Sequence, residues 1–123
     1  MHLADIIGRI FLSSIFLFEG IRKLFIQEQT IEFMVDYGVP EILFFPSLIV
    51  EIVFPLLIII GYKTKLAALV MTIFTITVTI IFHTEFSNEM QIIIFLKNIA
   101  IAGGFLIIFA KNTGKYSIDY KIN

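Results

Sequence analysis

The sequence predicts an all-α polytopic membrane protein: one domain over residues 1–123, folded as an antiparallel bundle of four transmembrane helices. Three observations carry this expectation. The chain is 59% hydrophobic and only 15% charged, whereas a soluble domain has about 25% charged residues. Four apolar runs, at 3–25, 42–60, 66–83 and 91–110, approach or exceed the ~20 residues a helix needs to cross hydrocarbon. The joins between them are short, which makes consecutive helices antiparallel neighbours.

The first run holds Arg9, Ser13, Ser14, Glu19, Arg22 and Lys23 among its apolar residues. At 100° per residue, Arg9, Phe16, Gly20 and Lys23 share one stripe, with Glu19 roughly 80° away. Arg9 and Glu19 inside the run argue against a cleaved signal peptide. Residues 27–37 mix Glu28, Glu32 and Asp36 with Ile31, Phe33, Met34 and Val35, the pattern of a short amphipathic connector. Gly38-Val39-Pro40 ends it, since Gly and Pro both interrupt helices.

In the second run Ser47, Glu51 and Pro55 fall on one face by i, i+4 spacing, with Glu51 near the middle. Gly61 closes that run, and Tyr62-Lys63-Thr64-Lys65 forms a basic connector. The third run has threonines as its only polar residues, and these can bond back to carbonyls of their own helix. It ends at His83. The fourth run carries Lys97 and Asn98 inside its apolar length. Lys97, Ala100, Gly103 and Gly104 lie along one side, so this side is expected to turn inward, where small residues admit a neighbouring helix.

Charge placement predicts the orientation. Lys63, Lys65, Lys111, Lys115 and Lys121 collect on one side, and the positive-inside rule makes that side cytoplasmic, with both termini there. Depth then groups the intramembrane charges. Lys97, about 9 Å below the start of its helix, is expected to meet Glu19 and Glu51. Asn98 lies beside it. Arg9 sits nearer the inner face, free to snorkel or to reach Glu51, and His83 at the outer surface. Intramembrane ionisable residues point to function, here a site for protons, a quinone or another small head group. A polar clasp that fixes helix register explains the same residues equally well.

Several chemistries are excluded. Net charge is −1, so nothing draws the chain to nucleic acid. Without cysteine there are no disulfides, thiol nucleophiles or iron–sulfur ligands. His2 and His83 lie at opposite ends of the bundle, so no shared haem iron or histidine-rich metal site is expected. No reaction is legible, and the chain is assigned neither to the enzymes nor to the non-enzymes.

The motifs taken together resemble the DoxX family of small four-helix membrane proteins. The resemblance rests on Arg9, Phe16-x-x-x-Gly20-x-x-Lys23, Gly38-Val39-Pro40, Glu51, the basic connector after Gly61, and His83. It continues through Phe95-Leu96-Lys97-Asn98, Gly103-Gly104 and the tail Gly114-Lys115-Tyr116-Ser117-Ile118-Asp119. It implies a multi-pass protein of the bacterial inner membrane. By analogy with some relatives, it implies a membrane subunit of a quinone-linked oxidoreductase complex with no redox centre of its own. Quinone is then the expected cofactor, not covalently bound. The expected partners are the lipid bilayer and oxidoreductase subunits, membrane or peripheral, with self-association open. The alternatives are a small proton-coupled transporter and a non-enzymatic assembly scaffold.

Overall fold

The computed structural model describes residues 2–111, which form helices joined by turns, with no strand among them. Helix α1 covers His2–Phe25, and α2 covers Gln27–Asp36. A 3₁₀ turn at Glu41–Leu43 leads into α3, Phe44–Ile60. Helices α4, Thr64–Phe82, and α5, Glu89–Ala110, complete the described chain. The tail motif from Gly114 to Asp119, with Lys115 and Lys121, lies outside the described residues.

Local chemistry sets the helix ends. Gly38 takes a left-handed φ of 83°, and Val39 N–H donates back to the Met34 carbonyl at 2.9 Å. Helix α3 runs unbroken through Pro55 and stops at Gly61, which is left-handed at φ 75°. There the N–H groups of Gly61 and Tyr62 both donate to the Leu57 carbonyl, at 2.9 and 3.0 Å. A glycine suits this cap because a Cβ in the left-handed region is strained. The Asn88 side chain accepts from Met90 N–H at 2.9 Å and caps the start of α5.

The packing order follows the chain. Helix α1 lies against α3, α3 against α4, and α4 against α5, while α5 returns to touch α1 more lightly. Contacts run antiparallel. Arg9, early in α1, bonds to Ile58 late in α3, whereas Lys23, late in α1, reaches Glu51. The core gathers Ile58, Ala67, Met71 and Phe105 from α3, α4 and α5, with Leu12 and Phe16 of α1 packed on it. A second cluster joins Met34 of α2 to Phe44 and Leu48 of α3, with Phe82 of α4 against it. The connector is thus a helix folded over one end of the bundle.

Three helical stretches are long and apolar enough to cross a membrane: Glu41–Ile60, Thr64–Phe82 and Glu89–Ala110. Helix α1 has 24 residues but carries Asp5, Arg9, Glu19, Arg22 and Lys23, and does not meet that test of composition. Outward faces of all four long helices are apolar, including Phe11, Phe18, Ile49, Ile73, Ile80 and Leu106. Such a surface fits lipid better than water. Three of the third run's four threonines behave as expected: Thr72, Thr77 and Thr79 donate to Ala68, Ile73 and Thr75 carbonyls of their own helix at 2.6–2.8 Å, whereas the buried Thr75 hydroxyl has no partner among the described residues.

Candidate functional site

Glu51 is 4% exposed, and its partner is Lys23. The Lys23 Nζ donates to Glu51 Oε2 at 2.8 Å, tying the end of α1 to the middle of α3. Close helix approach makes this contact. A Cβ on Gly20, one turn before Lys23, would stand 2.7 Å from Ile52 Cγ1 and 3.8 Å from Glu51 Cγ. Only a residue without a side chain leaves room there. The lysine stem crosses apolar surface, and its ammonium reaches the carboxylate.

This corrects the expected grouping. Lys97 is exposed on α5 and meets neither Glu19 nor Glu51. Glu19 instead lies 3.5 Å from Arg22 Nη2, one turn along its own helix. Such a partly exposed pair contributes little. The small-residue stripe divides as well. Gly104 turns inward, with a Cβ there 3.2 Å from Leu12, whereas a Cβ on Gly103 would touch nothing within 4 Å. Asn98 is half-buried beside Lys97. Because Lys97 takes part in no ion pair among the described residues, Lys97→Leu is expected to change unfolding stability by less than about 0.5 kcal/mol. Denaturant titration in detergent micelles checks this.

Arg9 does not reach Glu51 either. It is 2% exposed, and its Nη1 donates to the carbonyls of Ile58 and Ile59 at 2.9 and 3.3 Å. These carbonyls belong to the last turn of α3, where Ile58 O also accepts from Gly61 N–H at 3.2 Å, so the guanidinium adds a charged donor to a helix end rich in acceptors. Its Nε lies 3.2 Å from Asp5 Oδ2, without the alignment of a hydrogen bond. Nη2 has no hydrogen-bond partner among the described residues. Beside it, between α1 and α5, opens a cavity of about 530 Å³. At the other end of the bundle His83 Nδ1 lies 3.1 Å from Gln91 Oε1. Among the described residues, no three of His, Asp and Glu gather as metal ligands.

The six residues singled out from the sequence therefore occupy separate places. Glu51 belongs to a buried pair, and Arg9 to a helix cap beside a cavity. Glu19 lies on the α1 rim, Lys97 and Asn98 on the flank of α5, and His83 at the end of α4. Lys23 and Asp5 were missed as partners. The stripe Arg9–Phe16–Gly20–Lys23 held the signal, because a glycine one turn from a lysine marks where a neighbouring helix can come close.

Residues 4–84 match the DoxX family. The chain is 30% identical over 118 residues to "Inner membrane protein YqjF" of Escherichia coli (strain K12), covering 96% of this chain and 91% of that protein. It is 27% identical over 121 residues to "Inner membrane protein YphA" of the same organism, covering 93% and 86%. No solved structure matches it.

Proposed function

The chain belongs to the DoxX family, and on that footing we propose that it is a four-span inner-membrane subunit of a quinone-linked oxidoreductase complex, with no redox centre of its own. Helix α1 is then the fourth span. Its polar face turns towards α3, where Arg9 caps carbonyls and Lys23 meets Glu51. The open ends of α1 and α5 lie together at the side holding Lys63, Lys65 and Lys111, which the positive-inside rule makes cytoplasmic.

The observation that supports this reading is the Lys23–Glu51 pair. It places a carboxylate and an ammonium in contact within apolar surroundings. There their attraction is screened by water only in part. Quinone reduction takes up two electrons with two protons, so such a pair suits a subunit that serves a quinone while its partner supplies the electrons. Crosslinking and purification from native membranes should bring down an oxidoreductase subunit and extractable quinone. Glu51→Gln should lower the quinone-dependent activity of that assembly. Purified assemblies without quinone, and activity unchanged in Glu51→Gln, would remove the proposal.

An assembly scaffold is the second reading. It is favoured by the completeness of the pair, whose 2.8 Å contact already joins two helices. Under it, Glu51→Gln weakens recovery of partners without altering the activity of the assemblies that still form.

A further inference from the structure

We propose that the cavity between α1 and α5 binds an amphiphile with an anionic head group and an acyl tail, one per chain, the head group held by Arg9. Three observations meet there. The first is a buried cation with an edge to spare. Arg9 gives Nη1 to two carbonyls and sets Nε against Asp5, but Nη2 has no hydrogen-bond partner among the described residues. A buried donor left unmade is costly, and an anionic oxygen is its strongest partner.

The second is the shape and lining. Arg9 lines a cavity of about 530 Å³ whose walls include Phe11, Leu12, Ile107 and Ile108. This is room for a head group and the start of a chain, since small-molecule sites span ~300–1,000 Å³ with apolar walls and few polar groups. Glycines keep it open. A Cβ on Gly8, which lines the cavity, would meet nothing within 4 Å.

The third is charge. Lys111 also lines the cavity, so among the described residues two cations face one carboxylate, Asp5, and the described lining carries a net single positive charge. Asp5 already occupies the Nε edge, which leaves Nη2 and Lys111 for the incoming anion. A neutral or zwitterionic head would leave that charge uncompensated. Phosphate and carboxylate share the required chemistry, so a phosphatidylglycerol and a free fatty acid are both candidate sources. The site is independent of any quinone or oxidoreductase partner.

The test uses the full chain, delipidated in detergent micelles, with native mass spectrometry as the readout. Dioleoyl phosphatidylglycerol, dioleoyl phosphatidylcholine, oleate and inorganic phosphate are offered separately. One copy of phosphatidylglycerol, of oleate or of both should be retained about tenfold more tightly than phosphatidylcholine. Whichever of the two is retained identifies the source. Inorganic phosphate alone, lacking the tail, should bind far more weakly. Gly8→Leu places a side chain in the cavity while keeping Arg9 itself, and should reduce retention about tenfold while the lipid-free unfolding midpoint holds. Lys111→Gln, at an exposed position, is the second variant and should weaken retention about threefold. Equal retention of phosphatidylglycerol, oleate and phosphatidylcholine overturns the proposal. So does full retention by folded Gly8→Leu, or by Lys111→Gln should Gly8→Leu not fold.

Discussion

Lys23→Met is expected to destabilise the folded chain by about 3–5 kcal/mol, because it leaves Glu51 buried and charged with no counter-ion. Among the described residues Lys23 alone touches that carboxylate; Arg22 attracts it more weakly from its pair with Glu19, and Arg9 is engaged with the end of α3. Adding Glu51→Leu should recover most of the loss, since replacing a whole buried pair by apolar residues is often neutral. Denaturant midpoints in detergent micelles read both effects. A Lys23→Met protein as stable as the parent would mean that Glu51 finds its compensation elsewhere.

Gly20→Val should cost about 1–3 kcal/mol through overpacking alone. Its Cβ would fall 2.7 Å from Ile52, so α1 must move away from α3 or Ile52 must leave its position. A movement of α1 away from α3 lengthens the Lys23–Glu51 contact as well, which adds to the loss. The two effects are therefore coupled. Placed on a Lys23→Met/Glu51→Leu background, Gly20→Val should cost less than it does in the parent, and the difference measures how far the glycine serves the ion pair. A Gly104→Val change meets only the end of the Leu12 side chain, at 3.2 Å, and should be milder because that side chain can turn away.

Hydropathy made the long helices legible. The runs predicted at 42–60, 66–83 and 91–110 fall on α3, α4 and α5 within a few residues, and the expected connector at 27–37 is α2. Gly61 ends α3 because a left-handed residue is needed there, which the sequence announces directly. Helix rotation was harder to read. Helix α5 is apolar on every side, so its pattern does not say which face turns inward. Lys97 beside small residues therefore looked like an inward lysine although it lies on the outer flank. Helix α1 is more polar, and its stripe did carry the answer: Arg9 and Lys23 both face α3. Depth alone did not pair Lys23 with Glu51, because Lys23 lies in the last turn of α1 and Glu51 in the middle of α3. A lysine has a long apolar stem, and this one extends along the helix surface to a carboxylate between the helices. The Arg9 cap could not be read from sequence, because its acceptors are backbone carbonyls, which every residue carries.

The buried ion pair of this chain joins Lys23, and not Lys97, to Glu51. Two double-mutant cycles in the same detergent test it most directly, one with Lys23→Met and Glu51→Leu, the other with Lys97→Leu and Glu51→Leu. The structure predicts a coupling of about 2 kcal/mol or more in the first cycle and less than about 0.5 kcal/mol in the second. A large coupling between positions 97 and 51, with none between 23 and 51, would contradict it.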